Sequence, residues 1–288
     1  MLPELFRLPA GLPILGGLPI TSFGVMMLLA FLVGGIVLQR ELGRQGLDAE
    51  KAWDIVVVGI IGGLVGARLY YVFLNYPAFA ADPFGMLFAR AGMVWYGGFL
   101  LATVLIVRKV RKSGMPLGRT ADAVAPALAL AYAVGRIGCF LVGDDYGRPT
   151  DSWVGISFPR GIPPTTPAAM SERFGIAIDP AMIEKYGEFL PVHPTQLYEV
   201  GMSILIFFVL RFLARDRRAA GWLFMAWLAM AGVERFVVEI FRAKDDRFFG
   251  ALTLAQVISL GLVAVGVFWM SRLSKGKGPA GRRRKSAG

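Results

Sequence analysis

Cysteine and histidine are almost missing from this sequence. Its 288 residues hold one of each, Cys139 and His193. A single cysteine excludes a disulfide-stapled secreted scaffold, and a single histidine excludes a histidine-rich metal site. Charge is thin as well. Asp, Glu, Lys and Arg make up 18% of the chain, against about 25% in soluble domains. Apolar residues fill the gap at 56%, and mean hydropathy is +0.58. Such a chain is neither disordered nor a solvated multidomain enzyme. Its composition is that of an all-α polytopic membrane protein.

Acidic residues are the scarcer sign, which leaves a net charge of +11. That excess points to nucleic acid unless the cations sit in short loops on one side of a membrane. A bilayer-crossing helix needs about 20 mostly apolar residues. Seven segments qualify, at 21–38, 55–74, 93–107, 121–142, 195–212, 221–241 and 252–270. In the second, Gly62 and Gly66 form a small-xxx-small pattern that permits close helix contact. The odd-numbered loops and the C-terminal tail hold 19 Lys and Arg; the N-terminal segment and the even-numbered loops hold 9. The basic side should be cytoplasmic, so the N-terminus is expected outside and the C-terminus inside. The GRRRK run at 281–285 then reads as a tail drawn to anionic membrane lipids, and nucleic acid is not an expected partner. Glu4 precedes Arg7 and a Gly/Pro-rich stretch follows, which argues against a cleavable signal peptide.

The expected organisation is an extracytoplasmic segment at 1–20, helices one to four within 21–142, an extracytoplasmic head at 143–192, helices five to seven within 193–272, and a basic cytoplasmic tail at 273–288. The head is the one long loop, polar and rich in proline, and long ordered loops are usually functional. No internal repeat is visible.

With Arg211, at the very end of its span, counted in the fifth loop, three arginines lie deeper inside the spans: Arg68, Arg136 and Arg235. Charges at such positions are costly and usually functional. All three fall toward the outer side, where they are expected to converge on one pocket. Arg235, Glu239 and Arg242 follow at i, i+4 and i+7 and share a helix face. They form either a self-neutralising stripe or an anion site, in which planar guanidinium groups grip a phosphate. His193 stands before Pro194 at the start of the fifth span, where it and Gln196 are expected to cap the helix end, with Glu199 continuing a polar strip into the bilayer. The pairs Asp144–Asp145 and Asp245–Asp246 read as turn residues rather than metal ligands. Tyr96 precedes Gly97 and Gly98, which allow close approach of backbone or lipid; it is either an interfacial belt residue or functional. Cys139 reads as a small buried residue.

Four segments together resemble the prolipoprotein diacylglyceryl transferases. They are GRIGCFLVGDDYGRPT from Gly135, GARLYYV from Gly66, HPTQLYE from His193 and RFVVEIFR from Arg235. Arg136, Gly138, Phe140 and Gly147 match the family's usual GRxGNFxNxExxGxxT form, and Asp144 stands at its Glu. The likeness runs from about residue 20 to 272. Tyr96 replaces the histidine of the common HGG motif, Cys139 and Val142 stand at asparagine positions, and Phe23 stands where tyrosine is common, as in a variant branch with YGG and GCF.

The resemblance implies a bacterial inner-membrane enzyme. It would move the diacylglyceryl group of phosphatidylglycerol onto the lipobox cysteine thiol of a prolipoprotein signal peptide, releasing glycerol phosphate. It implies no cofactor or metal and a monomer among membrane lipids. Tyr96, Arg136 and Arg235 are then the expected catalytic residues. Arg68, Arg136, Arg235, Glu239, Asp144, Gly147 and Cys139 are expected to bind phosphatidylglycerol, supported by His193, Gln196, Tyr198, Glu199 and Arg242. The base stays open between Tyr96, His193 and an unassisted substrate thiolate. An anion transporter and an inactive lipid-binding paralogue are the competing readings.

Overall fold

The computed structural model describes residues 2–9, 11, 17–89, 92–216, 218–243, 247–249 and 252–275. The GRRRK run, Asp245–Asp246, Arg90 and Lys244 lie outside the described residues, as does much of the terminal segments at 1–20 and 273–288. Two strands, β1 (Glu4–Arg7) and β2 (Pro19–Thr21), pair antiparallel ahead of the first helix. The helices follow: α1 Ser22–Arg44, α2 Lys51–Leu74, α3 Tyr76–Ala81, α4 Pro83–Phe88, α5 Trp95–Lys112, α6 Leu117–Val142, α7 Pro167–Phe174, α8 Pro180–Tyr186, α9 Thr195–Leu213, α10 Trp222–Phe241 and α11 Leu254–Lys275. A two-residue-wide ladder of β3 (Arg247–Phe249) and β4 (Leu252–Thr253) precedes α11.

All seven expected spans are helical. Five of them, α1, α2, α6, α9 and α11, are long and apolar enough to cross a membrane, which makes this a multi-pass, predominantly α-helical membrane protein. The other two fall short because of charge. The α5 helix ends in Arg108, Lys109, Arg111 and Lys112, and α10 carries Glu234, Arg235 and Glu239.

The chain divides into two compact units, one of Met1–Gly34 with Ala125–Gly288 and one of Gly35–Val124. In the smaller unit, α2 packs on α5 through glycine. A Cβ on Gly66 would strike the Gly97 carbonyl, and one on Gly62 would come within 2.8 Å of the Ala102 backbone. Gly97 and Gly98 in turn face Gly66, Tyr70 and Gly63. The small-xxx-small expectation is met. Of the two close approaches that Gly97 and Gly98 allow, the structure shows that of backbone, supplied by α2.

In the larger unit, α10 packs on α9 and α11. Its core joins Ala125 and Ala129 of α6 to Ile206, Leu210, Trp222, Leu223 and Ala226. Tyr146, Phe158, Met170, Leu190 and Val192 of the segment 143–192 form a second buried cluster together with Ala243. Thr166 and Asp179 cap α7 and α8 from the β region, each ahead of a proline at the first helical position. The segment is bound to the helix ends through backbone. Gly147 donates to the His193 carbonyl at 2.8 Å, Arg148 to Phe241 at 2.8 Å and Thr150 to Pro191 at 2.9 Å. These bonds seat residues 147–150 between the start of α9 and the end of α10.

Candidate active site

The larger unit gathers an ionic cluster where α6, α9 and α10 meet the start of the 143–192 segment. Arg136 in α6 is 8% exposed, Glu199 in α9 is 1% and Glu239 in α10 is 5%. Arg136 pairs through Nη2 with Glu199 Oε2. Its Nη1 donates to Asp145 Oδ2 at 3.1 Å and to Cys139 Sγ at 3.3 Å. Arg242, one residue past α10, donates to the other Asp145 oxygen at 2.6 Å. Glu239 Oε2 takes Arg235 Nη2 at 2.6 Å and lies 3.8 Å from Arg242 Nε. Arg235 Nη1 stands 3.9 Å from Glu199 Oε1. Three guanidinium groups and three carboxylates thus alternate in one connected chain. Buried charge is tolerated only with such pairing.

Asp145 is the hinge of this chain. Its backbone is left-handed, φ 57°, a conformation that aspartate tolerates better than most residues. Two arginines hold its carboxylate, and Thr195 Oγ1 donates to its carbonyl at 2.7 Å. Burial would raise the Asp145 carboxyl, but Arg242 and Arg136 outweigh it and bring it to about 2. Asp144 goes the other way, raised by burial and by Asp145 beside it. Cys139, Asp144 and Asp145 bring ligand atoms within 4.8 Å of one another. They suit a cation poorly, because both Asp145 oxygens already serve guanidinium groups.

A model of the prolipoprotein diacylglyceryl transferase family matches residues 9–272. The chain belongs to that family. It is 32% identical over 275 residues, 91% of this chain and 94% of the relative, to a phosphatidylglycerol–prolipoprotein diacylglyceryl transferase of Geobacter sulfurreducens. It is 32% identical over 273 residues to one from Paraburkholderia xenovorans, covering 88% of this chain and 89% of that one. One from Clostridium tetani is 29% identical over 252 residues, covering 88% and 92%. The chain is a transferase of lipoprotein biosynthesis and a multi-pass protein of the inner membrane.

The site residues expected from the sequence fall into both units. Arg136, Cys139, Asp144, Gly147, His193, Gln196, Tyr198, Glu199, Arg235, Glu239 and Arg242 belong to the larger one, and Arg68 and Tyr96 to the smaller. Of the three arginines expected to converge, Arg136 and Arg235 share the cluster of the larger unit, where Arg242 joins them. Arg68 donates from Nη1 to the Gly92 carbonyl at 2.8 Å and so ties down the turn that leads into α5. Tyr96 is 53% exposed in the first turn of α5, edge-on to Trp95.

The cap expected at α9 takes another form. Pro194 itself is the N-cap residue, with no side-chain cap bond. His193 Nδ1 lies 3.0 Å from the Tyr198 hydroxyl, and both rings pack against Phe241. Burial lowers the His193 pKa, which favours the uncharged ring. Gln196 donates to the Asp144 carbonyl instead of capping its own helix. Gly147 is a close-approach glycine, since a Cβ there would sit 2.7 Å from that of His193. Cys139 is buried, as expected, and accepts from Arg136.

Reading the sequence missed Tyr132, Ser203 and Glu234, and treated Asp145 only as a turn residue. The Tyr132 hydroxyl donates to Glu199 Oε1 at 2.7 Å, and Ser203 donates to Glu234 at 2.6 Å with both buried. One signal was available: Tyr132 lies one helical turn before Arg136, on the same face.

Proposed function

We propose that this chain transfers the diacylglyceryl group of phosphatidylglycerol to the lipobox cysteine of a prolipoprotein, with the arginine–carboxylate chain of the larger unit as its phosphate site. The substrate thiolate attacks the glycerol carbon that bears the phosphate. A C–S bond forms, the C–O bond breaks, and glycerol phosphate leaves with the electron pair. Such a step needs stabilised charge on the leaving group more than a covalent enzyme intermediate.

The observation that carries this reading is the unequal exposure of three paired arginines. The side chain of Arg235 is 33% exposed, against 10% for Arg136 and 8% for Arg242. Arg235 has an open edge for a phosphate, while Arg136 and Arg242 frame it from within. Glu239 orients Arg235, and Asp145 locks the other two. Asp144 and Gly147 border this frame at the end of α6.

The reading also takes α5 and α10 as spans, making seven. The segment 143–192 is then an extracytoplasmic head and the C-terminus is cytoplasmic, supported by the 19-to-9 division of Lys and Arg. The test is to supply the chain to cells depleted of their own transferase and follow lipoprotein maturation. Arg136→Ala and Arg235→Ala should each cost on the order of 10²–10³ in transfer rate without loss of protein. Arg136→Lys should also be poor, since lysine lacks the planar fork. Near-normal transfer by both alanine variants would remove the phosphate site from the reading.

A further inference from the structure

The Glu199 carboxylate is shared unevenly. Its Oε2 is taken by Arg136. Its Oε1 accepts the Tyr132 hydroxyl at 2.7 Å, while Arg235 Nη1 waits 3.9 Å from the same oxygen. At 3.9 Å a guanidinium attracts the oxygen but makes no hydrogen bond with it. Glu199 is 1% exposed, so no solvent is at hand to take the place of a lost donor. Tyr132 is 43% exposed on α6 while its hydroxyl donates to the carboxylate. Nothing about a lipid-facing aromatic ring requires that hydroxyl.

We infer that Tyr132 is a positioning residue that holds Glu199 away from Arg235 and so keeps Arg235 free for the anionic headgroup of the lipid substrate. The inference rests on the phosphate site proposed above. Without the hydroxyl, Glu199 Oε1 is a buried anionic oxygen without its donor. Arg235 Nη1 faces this same oxygen and must move less than 1 Å to reach ordinary hydrogen-bond distance, about 3 Å. Arg235 would then be gripped by Glu199 and Glu239 together, and a phosphate would have to displace a carboxylate to bind. The consequence falls on lipid binding rather than on the bond-breaking step. Tyr132 touches neither substrate nor reacting atoms in this scheme.

The test uses the full-length protein in vesicles containing phosphatidylglycerol, with a lipobox peptide as acceptor. Tyr132→Phe keeps the ring and removes only the oxygen. It should raise KM for phosphatidylglycerol about tenfold, in line with a lost hydrogen bond to a charged group, and leave kcat within about threefold. Tyr132→Leu removes the ring as well and should show the same KM, which assigns the effect to the hydroxyl and not to packing. An unchanged KM in the Phe variant, a loss confined to kcat, or a Phe variant that no longer accumulates in the membrane would each overturn the inference. The two failures are distinguishable. A parent chain that transfers nothing from phosphatidylglycerol defeats the proposed function, whereas an active parent with an unaffected Phe variant defeats only the role of Tyr132.

Discussion

Asp145→Asn isolates the charge that links Arg136 to Arg242. Asparagine matches aspartate in shape and tolerates the left-handed φ of 57° equally well, so backbone strain is unchanged. The Asp145 carboxyl falls from 3.8 to about 2 on folding, because the two guanidinium groups outweigh burial. That difference corresponds to about 2.4 kcal/mol at full strength. The side chain is 44% exposed, and solvent screening of so open a group cuts the contribution to about 1 kcal/mol. Arg136 keeps Glu199 and Arg242 keeps Glu239, so neither cation is left alone. The expected cost at pH 7 is therefore about 1 kcal/mol, a fall of roughly 2–4 °C in the thermal midpoint of a chain this size. A depressed carboxyl stabilises above its unfolded pKa and loses that contribution as pH falls through its folded one. The parent and the Asn variant should thus differ fully above about pH 5 and converge between pH 4 and 2. Thermal unfolding of the purified protein in detergent across that range measures both. Equal midpoints at pH 7, or a gap at pH 2 as wide as that at pH 7, would refute the argument.

Other outcomes follow from the same geometry. Gly66→Val should push α2 from α5, because its Cβ meets the Gly97 carbonyl; a loss of several kcal/mol would appear as poor accumulation and a lower thermal midpoint, and an unchanged midpoint would contradict the glycine contact. Tyr96→Phe should lose transfer activity while Tyr96→His retains some, if the hydroxyl serves the reaction; full activity in the Phe variant would leave Tyr96 as an interfacial ring. A reporter after Gly288 should be cytoplasmic, and a cysteine at Ser171 should label from outside intact cells; labelling only after permeabilisation would reverse the orientation.

The helices were legible because each depends on a local property. Apolar runs of about 20 residues mark the seven segments, and their bounds moved by only a few residues in the structure. The pairing of Arg235 with Glu239 was legible for the same reason, since i and i+4 lie on one face by helical period alone. Gly62 and Gly66 announced a close contact but not its partner. That partner, the Gly97 backbone of α5, depended on how two helices pack.

What sequence could not supply was the pairing of charges far apart in the chain. Arg242 and Asp145 are 97 residues apart and Tyr132 and Glu199 are 67 apart. No periodicity relates such positions, and an isolated Asp-Asp reads as a turn. Burial compels the pairing: with little water to solvate them, Arg136, Glu199 and Glu239 must find opposite charges, and the fold determines which ones are within reach. Composition and the lengths of the apolar helices followed from sequence alone, because an apolar run is a property of each segment separately. The alternating chain of arginines and carboxylates, with Arg235 as its open end, came only from tertiary packing, because it needs three helix ends and a left-handed aspartate brought to one place.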